Sequence, residues 1–183
     1  MLFLKDIFYQ TRRFWNTVKY LQIKQVSWRI WYRLRKPPSV CLNSLKSSVP
    51  ERDWVEHARR QPSLISQRCL FLLKEKGNLD EIGWDGEERS KLWRYNQHYF
   101  DDINAKGSDQ RIEWHLKLIS NWIIKNNVGQ GVGWDAYPTS LRLVNWIKFA
   151  VSTKKLDEDA QLSLVIQARW LSRHIEWHIL GNH

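Results

Sequence analysis

The sequence closes on Asn182 and His183, directly after Gly181. An asparagine amide offers two N–H donors and has no charge to lose. A neighbouring histidine can donate a hydrogen bond or take a proton near neutral pH. The two residues look placed for chemistry; read by themselves they are an exposed tail after a helix. Upstream, Trp134, Tyr137 and Arg142 flank a glycine-rich stretch and a helix start. Aromatic faces stack on pyranose rings, and a guanidinium pairs a carboxylate through two parallel bonds, so the three suit a sugar-binding wall. Core packing with a surface arginine fits the same residues. Asn96 and His98 set polar groups inside an aromatic segment, where lining a cleft and satisfying core hydrogen bonds are both open.

Two other patterns carry less. His174 and His178 stand four apart, the spacing of two metal ligands on a helix, but the order His-Ile-Glu-Trp-His is not that of a zinc protease and no third ligand is evident. No metal and no cofactor is expected. Cys41 and Cys69 match no metal spacing and suit free thiols.

The elements that must position these residues are mostly helical. Between Met1 and Lys36 there is neither Gly nor Pro, and apolar residues recur at Phe14, Val18 and Leu21 and again around Trp28, Trp31 and Leu34, which predicts a helical arm over 1–36. Pro37 and Pro38 stop it, and 37–50 reads as a linker. A domain over 51–183 follows. Within it, RCLFLLKEKG (68–77) reads as a buried strand ended by Gly77, allowing a short strand pair near 68–85, and GNLDEIGWDGEERS (77–90) reads as loop. The segment 92–103 reads as a short helix. Ser108 is the expected cap of a helix with the stripe Ile112, Leu116, Ile119 and Ile123. A glycine-rich loop over 126–133 leads to a helix capped by Thr139, carrying Leu141, Val144, Trp146, Ile147 and Val151. Asp157, Glu158 and Asp159 suit the positive end of a last helix, with the stripe Leu164, Ala168, Leu171, Ile175 and Ile179 and Gly181 as terminator. The fold class is mainly all-α, with helical hairpins stacked side by side.

Charge is uneven. The chain carries +10 and twelve tryptophans. Nine Lys and Arg against the single acid Asp6 put +8 of that charge in 1–36. The arm therefore suits an anionic lipid surface or an acidic glycan, and it can equally pack across the domain; no nucleic-acid motif accompanies it, so nucleic acid is not an expected partner. Most of the tryptophans, Trp93, Trp114, Trp122, Trp146, Trp170 and Trp177 among them, lie on predicted helices, where core packing is the default. No run of eighteen apolar residues appears, and Lys5 and Asp6 interrupt the only candidate signal peptide, so the compartment stays open.

Three stretches in order, LWRYNQHYFD (92–101), GWDAYPTSLRLVNWIK (133–148) and EWHILGNH (176–183), resemble the heparinase II/III family of polysaccharide lyases. WRIWYRLR (28–35) is similar to the arm that often precedes that domain in bacterial members. The likeness covers most of the chain and is weakest across 37–80. It implies the N-terminal portion of an incomplete (α/α) toroid with a cleft for a uronate-containing, acidic polysaccharide. It also implies β-elimination: a base removes the proton on C5 of a uronic acid, and the 4-O glycosidic bond breaks. Asn182 and His183 would then bind the uronate carboxylate and assist the proton transfer, with Asn96, His98, Trp134, Tyr137 and Arg142 as substrate-binding residues. Family members are often periplasmic or linked to cell-surface polysaccharide. They continue with further toroid helices, a catalytic Tyr, often another His, and a β-sandwich. On that resemblance the isolated chain is expected to be a truncated lyase, inactive or weakly active, with apolar faces that favour self-association. The other expectation is a non-catalytic binding or assembly module for an acidic glycan or an anionic membrane surface.

Overall fold

In the computed structural model the described residues are 59–175, together with Ile23, Ser27, Ile30, Trp31 and Leu34. The chain divides into two units, one of 1–39 with 175–183 and one of 40–174. The expected linker, most of the arm, Gly181 and the Asn182–His183 pair lie outside the described residues.

The second unit is mainly helical and opens with a three-stranded antiparallel meander: β1 Leu64–Ser66, β2 Cys69–Leu72 and β3 Glu75–Asn78. The single strand expected over 68–77 is a hairpin, which supplies the short strand pair expected near 68–85. Leu72 pairs with Glu75, and the two residues between them, Leu73 and Lys74, hold φ of 52° and 68°. Two consecutive left-handed residues define the tight turn whose twist matches a hairpin, a turn that usually takes Asn-Gly. Leu and Lys give no such signal.

One row of residues faces inward across the sheet: Leu64, paired with Leu70, paired with Gly77. Gly77 does not end a strand. It sits inside β3 because the Trp93 ring occupies the place of a side chain; a Cβ there would lie 2.5 Å from the ring and 2.8 Å from Ile82 Cδ1. Trp93 is almost fully buried, so it has little room to retreat. Gly77→Ala is expected to lower stability by about 1–3 kcal/mol, read as a fall in the urea midpoint. An unchanged midpoint would show that Trp93 can move aside.

The helices follow: α1 Leu79–Ile82, α2 Lys91–Gln97, α3 Ile112–Lys125, α4 Ala136–Thr153 and α5 Glu158–His174. Short 3-10 turns stand at Asp101–Asn104, Ser108–Arg111 and Val132–Trp134. The stretch expected to be loop before α2 contains α1, capped by Asn78, whose side chain accepts from the Asp80 amide. Ser90 caps α2, accepting from the Trp93 amide at 3.2 Å. Ser108 is not the cap of α3; it opens the 3-10 turn that leads in. Thr139 is not the cap of α4 either. That helix begins after Asp135, and the Thr139 hydroxyl, one turn in, donates back to the Gly133 carbonyl at 3.2 Å. Asp157 does start α5, accepting from the Ala160 amide at 2.8 Å. α5 packs against both α4 and α3.

The buried faces are rotated from the expected stripes. α3 buries His115, Leu118, Ile119 and Trp122. α4 buries Pro138, Thr139, Arg142, Leu143, Trp146 and Phe149, while Val144 and Ile147 are exposed. α5 buries Ala160, Ser163 and Gln167, and Ala168 is exposed. In each helix a polar residue, His115, Arg142 or Gln167, occupies the middle of the inward face, and a stripe drawn from apolar residues alone passes beside it.

The core is aromatic. The Phe100 ring stacks on Trp84 at 5.6 Å and meets the edges of Trp146 at 5.2 Å and Trp122 at 6.5 Å. Trp122 in turn touches Trp134, and Trp134 touches Trp170. Phe100 takes φ 59°, a left-handed conformation that costs a non-glycine residue about 1–3 kcal/mol. Burial of its ring among three indoles offsets that strain.

Asp102 ties the sheet to the helices. Its carboxylate accepts from the Ser63 and Leu64 amides at 2.6 and 2.8 Å, from Arg111 Nε at 3.1 Å and from His115 Nε2 at 2.8 Å. Burial pushes the carboxyl pKa up, but the bonds from His115, Leu64 and Ser63 and the charge of Arg111 outweigh it, so the net shift is downward.

Candidate functional site

The first two motif stretches, 92–101 and 133–148, interlock. Arg142, on the first turns of α4, is fully buried. Its Nη1 donates to the Gly133 carbonyl at 2.8 Å and to the His98 carbonyl at 3.5 Å, and its Nε donates to Gln167 Oε1 at 2.8 Å. The guanidinium lies 3.9 Å above the Trp122 ring. Neutral acceptors and an indole face thus solvate this cation, and burial draws its pKa well below the usual guanidinium value. Farther along α4, Asn145 Nδ2 donates to the Tyr99 carbonyl and to Asp101 Oδ1, each at 2.8 Å. At the helix entry, Tyr95 donates to Asp135 through a very short bond. The bonds of Arg142 to His98, of Asn145 to Tyr99 and Asp101, and of Tyr95 to Asp135 join one motif to the other.

His98 stands at the centre of that joint and is fully buried. The Trp122 indole N–H donates to its Nδ1 at 2.9 Å, which fixes the proton of the neutral ring on Nε2. Trp84 stacks on one side of the ring at 5.7 Å. Gly133 closes the other: a Cβ there would lie 2.6 Å from the ring. Burial, aided by the Arg142 charge, lowers its pKa to about 3 against an opposing backbone contact with Trp84. A ring that is neutral and sealed from solvent positions the chain and does no proton transfer with a bound substrate.

The structure separates the five expected sugar-wall residues. His98, Trp134 and Arg142 lie in the core, and Arg142 is neither on a cleft wall nor on the surface. Trp134 packs between Trp122 and Trp170, and its carbonyl accepts from the Trp170 indole at 2.9 Å. Asn96 is half-buried, and its amide donates to the Leu92 carbonyl one turn back. Tyr137 alone is well exposed, at 43%, with its ring edge-to-face with Tyr99. Trp93, Trp122 and Trp146 are core residues, as the default reading of the tryptophans has it. His174 stacks on Trp170 at 3.8 Å and bonds its carbonyl; His178 lies outside the described residues. Among the described residues no group of three His, Cys, Asp or Glu is placed to hold a metal.

Among the described residues, polar groups that can meet a ligand gather on two of the open surfaces. At the entry to α4, two residues before Tyr137, Asp135 meets Tyr95 and the Lys91 ammonium, which stands 3.4 Å from Asp135 and above the Tyr95 ring. Burial, then the bond to Asp135, raises the Tyr95 pKa, and burial with neighbouring phenols pushes Tyr99 up to about 12. Both phenols stay protonated at neutral pH and serve as donors, not bases. The other surface is an open cleft of about 770 Å³ between α1 and the end of α3. Four amide side chains, Asn121, Asn126, Asn127 and Gln130, line it together with Trp84 and the charged Arg68, Asp80, Glu81, Asp85 and Lys125. The Trp84 indole holds Asn121 at 2.8 Å, and Asp85 is neutralised by Arg94. Such a lining suits a hydroxyl-rich ligand and carries no histidine, serine or cysteine for covalent chemistry. Sequence reasoning missed this cleft because its residues come from three separate segments with no shared spacing. It also missed Thr139, Gln167 and the Asp102–His115 pair; the signal for the last was a histidine in the middle of an apolar helix.

No protein-family model matches the chain, and neither the curated proteins nor the solved structures hold a significant match.

Proposed function

We propose that this chain carries the opening helices of a heparinase II/III-like toroid and contributes Asn182 and His183 to β-elimination on a uronate-containing polysaccharide. The observation that supports the reading is the interlock. Within the stretches that resemble that family, Tyr95, His98, Tyr99, Asp101, Asp135, Arg142 and Asn145 bond one motif to the other. Motifs 133–148 and 176–183 are joined in sequence by α5, so a rigid joint at Arg142 and Gln167 fixes the helix that leads to the third motif.

In this mechanism the Asn182 amide and His183 donate to the uronate carboxylate. That lowers the energy of the enolate-like charge formed as a base takes the C5 proton. The C5–H electron pair becomes the C4–C5 double bond, the C4–O bond breaks, and the departing oxygen takes a proton. Tyr137 and the amide-lined cleft offer surfaces for neighbouring sugar rings. No metal or cofactor enters these steps.

The test is binding and turnover with heparan-type and alginate-type oligosaccharides. One of them is expected to bind, with affinity weakened about tenfold or more in Asn182→Ala and in His183→Ala. Any growth of ultraviolet absorbance from the unsaturated product is expected to fall about 10²–10³-fold in Asn182→Ala. A folded protein that binds no uronate oligosaccharide overturns the reading.

A further inference from the structure

We propose that the cleft between α1 and the end of α3 is a binding site for an uncharged, hydroxyl-rich sugar unit. Its volume, about 770 Å³, is that of a site for a small ligand. Its chemistry lies in four amides that are each only half used. The Trp84 indole N–H can only donate, so its bond of 2.8 Å fixes the Asn121 carbonyl toward the ring and the NH2 away from it. At the end of α3, the Asn126 NH2 donates to the Trp122 carbonyl at 2.8 Å, and the Asn126 side-chain oxygen is left over. In the glycine-rich loop, Asn127 Nδ2 donates to Gln130 Oε1 at 3.4 Å, which leaves one oxygen and one NH2 between the two. Among the described residues these remaining groups have no bonding partner. The cleft therefore offers donors from Asn121 and Gln130 and acceptors from Asn126 and Asn127. Their supports are fixed: Trp84 is buried, and Asp85, held by Arg94 Nε at 2.6 Å, ties the loop down by accepting from the Val132 amide at 3.3 Å.

Bonding and charge select the occupant. A hydroxyl both donates and accepts, so a ring with several hydroxyls can use both kinds of free amide group. An ionised carboxylate or sulfate only accepts. It would use the two donors, face the oxygens of the other two amides, and meet Asp80, Glu81 and Asp85. Arg68 is bound to Asp80 at 2.5 Å and Arg94 to Asp85, so among the described residues Lys125 is the lining cation without an acid partner, and Glu81 balances its charge. A cationic ligand would leave the NH2 groups without a bond, and an apolar one would strip water from every amide. The inference rests on the polysaccharide reading only in taking the hydroxyl-rich ligand to be a sugar. It gives the ring in this cleft no charge, whereas Asn182 and His183 would take a uronate.

The test is titration of the full chain with neutral oligosaccharides of glucose and of N-acetylglucosamine, beside an oligomer built of uronate alone, followed by NMR of the side-chain amides. A neutral oligomer is expected to shift the Asn121 and Gln130 NH2 resonances to saturation, with an affinity that added salt leaves unchanged. The uronate oligomer is expected to leave those resonances in place. Asn121→Asp keeps an acceptor for the Trp84 indole and removes both donors, and it is expected to weaken neutral binding about three- to tenfold. Gln130→Ala, at an exposed loop position, is expected to act in the same direction and to leave the urea midpoint unchanged. The proposal is overturned if neither neutral oligomer shifts the amides, if both variants bind as the parent does, or if the uronate oligomer shifts the same amides equally. A neutral oligomer that binds where no uronate oligomer does keeps this inference and removes the reading of Asn182 and His183; the converse removes this inference alone.

Discussion

Arg142→Met is expected to lower the unfolding free energy by about 2–4 kcal/mol, among the largest losses available to a single substitution in this chain. Two effects oppose each other. Removing a buried cation relieves its desolvation, and apolar replacements of buried charges are often tolerated. Here that relief is set against the loss of bonds to three acceptors and of the contact with the Trp122 ring at 3.9 Å. Methionine fills most of the volume and donates nothing. The His98 carbonyl and Gln167 Oε1 would lose their donor in a region closed to water, since His98 and Gln167 are both fully buried. Each dry acceptor costs about 1–3 kcal/mol. Arg142→Lys should recover little, because one ammonium cannot serve Gln167, Gly133 and the indole face together. Tyr137→Ala, at an exposed site on the same helix, is the control and should cost about 1 kcal/mol or less. Urea titration of the three variants separates the cases. A loss under about 1 kcal/mol for Arg142→Met would mean that water or a shifted side chain reaches those acceptors.

Arg142 also shows which parts of this structure are legible in the sequence. The helices are: α3, α4 and α5 stand where periodicity and the glycine-rich loop put them, and Asp157 starts the last one. Their faces are less so. Of the expected stripe Leu141, Val144, Trp146, Ile147 and Val151 only Trp146 is buried, and the buried side of α4 is chosen by it and by Arg142, which stack and bond with partners on other helices. Hydropathy cannot rank a buried arginine, because its burial depends on acceptors that come together only in the fold. The same holds for His115, whose place inside is set by Asp102. Turn chemistry failed for a local reason: the hairpin turn takes Leu73 and Lys74 in place of the glycine and asparagine that would announce it.

The candidate site divides along the same line. Residue types flagged for sugar contact were sound indicators of unusual positions but not of exposure. Tryptophan, histidine and arginine stack and bond equally well with a glycan or with one another. In this chain His98, Trp134 and Arg142 are spent on one another and on Trp122, and Tyr137 is left at the surface. Motif positions of this kind mark a framework, and residue type alone does not tell that framework from a sugar-binding wall.

The same framework should make the protein sensitive to acid well above the carboxylate range. In the unfolded chain a histidine has a pKa near 6.5; folded, His98 is held at about 3. Between those values the unfolded state binds a proton that the folded state refuses. Stability from this group is therefore complete above about pH 6.5 and is lost as pH falls toward 3, with a limiting slope of about 1.4 kcal/mol per pH unit. Between pH 6.5 and 4.5 the loss should reach about 2 kcal/mol. Asp102 contributes in the same direction but at lower pH: its folded pKa lies below the ordinary 3.8, so its share begins to fall only as the unfolded carboxyl takes up its proton. Above pH 5 the two are separable. Urea midpoints measured from pH 7.5 down to 4.5 give the slope, and nitrogen NMR of the imidazole gives its origin. The His98 ring is expected to keep the proton on Nε2, with Nδ1 held by Trp122, and to show no titration shift down to pH 4.5 in the folded protein. A folded-state titration of that ring near pH 6 would mean that water reaches it, and the sealed joint between the two motifs would have to be abandoned with it.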